Sequence, residues 1–248
     1  MAIGLEGGCR VSLLREGTCK EHGTVRDWPH AGRASGAEAI SLRVLELAPG
    51  RSPALGGAAC DEVLYLLEGA GTLLLDGASY PIGPDTGFYV WPGARFEIEN
   101  PGPLPMTVVS SRCPDPDQGA QPGKPAALKK ARPSPVVRLS ERTSEITGDR
   151  WYRVLLDGGA GSAQVTQFVG AIPKGRAPDH YHEYEEVLCI LEGRGRMWAG
   201  ASSTPIARGS CIFLPRRQVH CVENTGDTEL RLLGVFYPAG SPAVRYSG

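Results

Sequence analysis

Apolar residues gather along this chain in short runs that mix β-branched, aromatic and aliphatic side chains. Ile40–Leu47, Val63–Leu67, Thr72–Leu75 and Phe88–Trp91 are the runs of the first half. Val165–Ile172, Val187–Leu191, Arg196–Trp198, Cys211–Leu214 and Glu229–Phe236 are those of the second. The turn signals PG, EG, DG and WPG separate them. Short strands at regular spacing with glycine turns predict an all-β protein, closed as a barrel or jelly roll to hide its edges.

The two sets of runs are copies of one another. Glu62 and Glu186, Gly69 and Gly193, Asn100 and Asn224, and Pro49 and Pro173 all stand 124 residues apart. Between Glu62 and Gly69, six of eight residues recur at that offset. A constant offset over so long a span means an internal repeat with almost no insertion or deletion. The segment 113–135, CPDPDQGAQPGKPAALKKARPSP, is rich in Pro, Gly, Lys and Ala and reads as a linker, with AALKKA as a short helical turn. The division expected is 1–124 and 125–248, and a chain of 248 residues is long enough for two such cores.

Composition narrows the function classes. With 26 basic and 27 acidic residues the formal charge is −1, which offers no strong field to nucleic acid or to an acidic membrane. Gly (33) and Pro (21) are plentiful, as a turn-rich β architecture requires. No apolar run approaches the roughly 20 residues that cross a bilayer. MAIGLEGGCRVSLLREG lacks the basic and apolar regions of a signal peptide. The seven cysteines are odd in number and carry no CxxC pair, so they read as reduced thiols in a cytoplasmic protein.

Candidate chemistry sits in the second copy alone. His180 and His182 are separated by one residue, so on a strand both project from one face about 7 Å apart. Glu186 follows four residues later and His220 lies after GSCIFLPRRQV, a strand and a proline-marked turn. Three imidazoles and a carboxylate converging on one point suit a first-row divalent metal with positions left for water, substrate or dioxygen. His22 and His30 lie in a polar N-terminal stretch outside this set.

These residues resemble the signatures of the cupins. Gly175–Arg176–Ala177–Pro178–Asp179–His180–Tyr181–His182–Glu183–Tyr184–Glu185–Glu186, closed by Gly193, is similar to the first signature. Gly209–Ser210–Cys211–Ile212–Phe213–Leu214–Pro215, with His220 and Asn224, is similar to the second. The resemblance implies two tandem double-stranded β-helix (jelly-roll) barrels, with His180, His182, Glu186 and His220 as metal ligands. Arg217 departs from the pattern where the second signature has glycine, which bears on the turn rather than on the metal. In the first copy the ligand positions hold Gly56, Ala58, Glu62 and Phe96, so only one carboxylate survives and that barrel is expected to be metal-free.

The family's range is wide, and fold alone does not choose within it. A His3Glu set resembles that of oxygen-using cupins such as the quercetin dioxygenase-like proteins, so a dioxygenase-like enzyme using Fe, Mn, Ni or Zn is the leading expectation. A degenerate first barrel beside a metal-binding second one also resembles ureidoglycine aminohydrolase, a manganese bicupin, although that family's ligands follow a different pattern. A binding module without turnover is the third reading. By strand alternation Met197 points inward and Phe213 precedes the signature turn, and these two are the candidate pocket residues. Cys189 and Cys221 should face away from the metal, and Arg216 and Arg217 could guide an anion at the mouth. An apolar lining without a spare cation would disfavour a highly charged substrate. A small-molecule ligand and a homodimer complete the expectations.

Overall fold

The computed structural model describes residues 2–114, 133–162 and 164–243. The linker 113–135, its AALKKA turn and the boundary near residue 125 lie almost wholly outside these residues. Among the described residues the only helical turns are short 3₁₀ segments, and everything else that is regular is strand. No described helix is long and apolar enough to cross a membrane.

Each of the nine apolar runs lies wholly or mostly within a strand, with Ile40, Ser41, Trp91, Val165 and Glu229 falling just outside. The run Val187–Leu191 becomes Glu185–Glu192, and Val63–Leu67 becomes Asp61–Glu68. Less apolar strands such as Val25–Ala31, Arg95–Asn100, Arg150–Leu156 and His220–Asn224 complete the sheets. Each half is a jelly roll of one large and one small antiparallel sheet. The first half pairs a seven-stranded sheet with a five-stranded one, and the second an eight-stranded with a four-stranded one.

The unbroken apolar run in Glu185–Glu192 has a direct cause. Leu188 and Ile190 enter the interior cluster of the second barrel, while Val187, Cys189 and Leu191 join a core that spans both halves. A strand buried on both faces has no polar face to alternate with. The large sheets therefore stack against each other, and the two barrels share one hydrophobic interface.

The halves also exchange edges. Strand Arg10–Leu13 pairs with Ser210–Leu214 of the second barrel, and Val136–Arg138 pairs with Thr86–Val90 of the first. Each barrel's large sheet is thus extended by a strand that precedes the other barrel, an arrangement with internal two-fold character.

The residues shared at the 124-residue offset do matching structural work. Asn100 donates to the Leu104 carbonyl and accepts from Gly102 N–H, and Asn224 does the same with Thr228 and Gly226. At Gly71 a Cβ would stand 2.2 Å from the Glu99 carbonyl oxygen, and at Gly195 it would stand 2.0 Å from that of Glu223. No side chain fits at either position.

Candidate metal centre

The three histidines of the second copy meet at the mouth of its barrel. His180 and His182 sit just ahead of strand Glu185–Glu192 rather than within a regular strand. Backbone pairing places them: His180 N–H donates to the His220 carbonyl at 3.1 Å, and His220 N–H returns the bond to His180 at 2.8 Å. Such a doubly bonded antiparallel pair sets two side chains next to each other. The three ring centroids lie 4.5–5.3 Å apart, and their ligand nitrogens fall within 4.8 Å of one another. Glu186 stands at the edge of this group, with Oε2 3.6 Å from His182 Nε2.

The chemistry of the donors fits a divalent cation. His180 Nδ1 lies 3.0 Å from the Pro178 carbonyl and His220 Nδ1 lies 2.7 Å from that of Gln218. A carbonyl can only accept, so it fixes the proton on Nδ1 and leaves Nε2 with its lone pair. Burial, and then the neighbouring His180, pulls the His220 imidazole down to about 4, so it is neutral in ordinary buffers. Burial pushes Glu186 up to about 8, which marks a carboxyl without enough positive charge around it. Neutral imidazoles beside a carboxyl short of a countercharge are what a metal ion would complete. His182 is oriented by stacking on Tyr184 at 4.7 Å, which stacks in turn on Phe236 at 4.5 Å.

Arg217 explains itself in the same turn. It adopts φ 60°, the left-handed region, at the position where the first copy has Gly93 at φ 79°. Its N–H donates to the His182 carbonyl at 2.7 Å, and its guanidinium donates to Glu183 at 2.8 Å. The turn keeps its glycine-like conformation, and those two bonds tie the second signature to the first. Arg217 is therefore engaged at the surface and does not line the cavity.

A cavity with about 100 Å³ open to water-sized groups adjoins the histidines. Its walls include Trp151, Phe168, Ile172, Leu188 and Leu232, together with Tyr152 and Arg150. The expectation of a lining without a cation is thus corrected by Arg150, which sequence reading passed over because nothing near it carries a motif. Met197 is buried in the barrel interior but is not among the lining residues. Phe213 lies in the core between the halves, because its neighbours Ile212 and Leu214 take the inward positions of that strand. Cys189 faces the same interface, and Cys221 receives a hydrogen bond from Arg176 Nε at 3.2 Å, so both point away from the imidazoles. His30 is held by Ser12 at 2.8 Å and by the Leu14 carbonyl at 3.0 Å.

Among the described residues, the corresponding mouth of the first barrel gathers no comparable group of imidazoles. A side chain at Gly56 would meet the Ala94 carbonyl at 2.7 Å and the Phe96 ring at 3.1 Å. The surviving Glu62 is fully engaged: it accepts from Arg43 at 2.6 Å, Arg112 at 3.0 Å and Ser110 at 2.7 Å.

Comparison with known proteins follows the same lines. The sequence profile of the family described as "Cupin domain" matches residues 168–236. The "Oxalate-binding protein" of Thermotoga maritima is 30% identical over 110 residues, which are 38% of this chain and 89% of that protein. Two uncharacterised relatives match over only 46% and 56% of their own lengths. Among solved structures, the putative glyoxylate-induced protein of Pseudomonas aeruginosa superposes with a TM-score of 0.74 at 18% identity, covering 95% of this chain and 90% of that one. A Bacillus subtilis oxalate decarboxylase structure described for its Mn(II) centres gives 0.72 at 14% identity, covering 93% and 78%. At such identities these two likenesses are likenesses of fold.

Proposed function

Because this chain belongs to the cupin superfamily, we propose that its second barrel is a metal-dependent enzyme site for a small organic molecule. His180, His182, Glu186 and His220 are the residues assigned to hold the metal. One observation carries the reading: three imidazoles converge beside an open cavity, two of them with Nδ1 engaged by backbone carbonyls. A divalent Fe, Mn, Ni or Zn ion bound there supplies Lewis acidity and, where redox-active, chemistry with dioxygen.

The protein's own part is positioning and proton handling. The carbonyls of Pro178 and Gln218 keep two Nε2 atoms aimed into the site, and the Tyr184–Phe236 stack fixes the plane of His182. Glu186, buried beside His182, would be ionised while it holds the metal, and it is the proton acceptor of the site when it is not coordinating. Phe168, Ile172 and Leu232 exclude bulk water from that proton transfer. A dioxygenase-like reaction on an oxygen-donor substrate is the activity we assign. The seven free cysteines accord with a reducing, cytoplasmic setting.

A second reading has a specific observation behind it: the Thermotoga maritima relative is named for binding oxalate, which points to capture of a small acid without turnover. Elemental analysis of the purified protein followed by oxygen-uptake assays on enols, catechols and short acids separates them. One metal per chain with oxygen consumption supports the enzyme. One metal with tight oxalate binding and no consumption supports the binding module, and ammonia release from ureido compounds would replace both with a hydrolase.

A further inference from the structure

We propose that Glu185 is a positioning residue for the metal centre. Its anchor is a cradle of three backbone N–H groups that belongs to the first barrel. The proposal rests on the metal-site reading above and adds what holds that site in place.

The segment that carries two of the histidines has little regular structure. Residues 177–184 form no strand, and residues 183 and 184 make a bend before the ladder begins at Glu185. Within the second barrel this segment is tied by Ala177 N–H to the Val222 carbonyl at 3.2 Å and by the His180–His220 backbone pair. Arg217 N–H adds a bond to the His182 carbonyl at 2.7 Å. Past His182 the chain turns through Tyr184, stacked on Phe236, and enters the strand at Glu185.

Neighbours on a strand point to opposite faces. Glu186 turns into the barrel mouth, with Oε2 3.6 Å from His182 Nε2, so Glu185 turns toward the first barrel. There Glu185, 3% exposed, accepts from Glu38 N–H at 2.7 Å, Ala39 N–H at 2.8 Å and Ile40 N–H at 3.1 Å. Successive N–H groups converging on one carboxylate form an anion cradle, and bonds to a charged acceptor are the stronger kind. A strand pinned through Glu185 cannot twist or slip without moving Glu186, because the two carboxylates hang from adjacent Cα atoms.

The cradle is braced from inside the first barrel. Ser41, next to Ile40, donates its N–H to the Arg112 carbonyl at 3.0 Å, and its hydroxyl accepts from Arg112 N–H at 3.0 Å. The Arg112 side chain donates in turn to Glu62. The buried ion network of the first barrel thus supports the loop that holds Glu185.

The repeat supplies an internal control. At the 124-residue offset Glu185 corresponds to Asp61 and Ile40 to Gln164. Asp61 also reaches across the seam, but its hydrogen-bond partners among the described residues are side chains, the Gln164 amide at 3.0 Å and the Tyr89 hydroxyl. The clasp made of backbone is the one beside the three histidines.

The test uses full-length protein with Mn(II) and Co(II) as metal probes, at a temperature where circular dichroism shows each variant folded. Competition with a chelator reads Mn(II) affinity, and the visible bands of the Co(II) form read ligand geometry. Glu185→Gln should shift those bands and weaken Mn(II) by about 10-fold, the lower end for groups that orient metal ligands. Glu185→Asp keeps the charge and should fall between that variant and wild type. Glu38→Pro deletes one cradle donor at an exposed position and should weaken Mn(II) in the same direction, so it decides the matter if Glu185→Gln does not fold. Asp61→Asn loosens the equivalent contact of the first barrel and should leave both readings as in wild type. Folded Glu185→Gln or Glu38→Pro with wild-type affinity and wild-type Co(II) bands would overturn the assignment and leave the metal site standing. Asp61→Asn that weakens Mn(II) as much as Glu185→Gln would also overturn it, since general loosening of the seam would then explain the loss. Wild type that binds neither ion would remove the metal-site reading and this proposal with it.

Discussion

Glu62→Gln is the sharpest test of how the first barrel holds its buried glutamate. Glu62 is 2% exposed and sits among Arg43 (17% exposed), Arg112 and Ser110, with Asp27 3.1 Å from Arg43 on the far side. Burial alone would raise its pKa, but the pull of Arg43 and Arg112, with hydrogen bonds from Ser110 and Arg43, outweighs it and holds the carboxyl below the usual range. Removing one partner from a buried ion pair costs about 3–5 kcal/mol, because the other charge is left without compensation. Asp27 still faces Arg43 in the variant, which puts the expectation at the lower end, about 3 kcal/mol. For a chain of this size that is a drop of about 6–12 °C in the unfolding midpoint.

The assay is urea unfolding at pH 7 followed by fluorescence, with calorimetry as a second probe. A folded-state pKa below the ordinary 4.5 means the stabilisation is present above pH 4.5 and is lost as pH falls through the folded value. The gap between wild type and Glu62→Gln should therefore close in acid. A triple change, Arg43→Met with Glu62→Leu and Arg112→Met, should recover most of the loss, since an apolar replacement carries no stranded charge. A loss below about 1 kcal/mol in Glu62→Gln, or a triple variant as weak as the single, would refute the reasoning.

The other predictions concern the second barrel and its ties to the first. His220→Ala should take metal content from one per chain to near zero by elemental analysis while the circular dichroism of the sheets persists. Glu185→Gln weakens a carboxylate that accepts three backbone N–H groups, from Glu38 at 2.7 Å, Ala39 at 2.8 Å and Ile40 at 3.1 Å. It should cost about 2 kcal/mol in urea unfolding and speed hydrogen exchange at residues 38–40. Residues 125–248 expressed alone lose strand Arg10–Leu13 from the edge of their large sheet and uncover the interface face of Glu185–Glu192, so they should aggregate or bind less metal than the full chain. A soluble, fully metal-loaded fragment would contradict that.

Sequence pattern carried the architecture a long way because repetition gave a control within one chain. Residues held at the 124-residue offset, such as Asn100 and Asn224, turned out to hold turns, while His180, His182 and His220 meet at one point. Strands with mixed polarity stayed hidden, since Arg26, Asp27 and His30 interrupt Val25–Ala31 and Arg150 and Arg153 interrupt Arg150–Leu156. For the same reason Arg150 gave no signal, because its neighbours in space come from other strands. The exchange of edge strands was equally illegible: Arg10–Leu13 pairs with a segment some 200 residues away, and no local pattern encodes that partner. Phe213 shows the limit of proximity in sequence, since one residue along a strand reverses the face.

The two barrels meet one electrostatic demand in opposite ways. Each carries a glutamate at the second position of the same strand, turned into the barrel mouth. Strand register identifies what surrounds each one. In the first barrel Arg112 pairs with Glu62 and Arg43 pairs with Ser110. In the second, Phe236 pairs with Glu186 and Phe168 pairs with Gly234. Two arginines thus stand where the second barrel has two phenylalanines, and a serine stands where it has a glycine. That glycine is required, since a Cβ at residue 234 would lie 2.3 Å from the Phe168 ring. The arginines neutralise Glu62 from within, so the first barrel has no need of an outside cation. The phenylalanines put no cation against Glu186 at these strand positions and give His182 an aromatic stack to lean on, which is the setting in which we propose an outside cation. The metal site we propose is therefore written as much in the absence of two arginines as in the presence of three histidines.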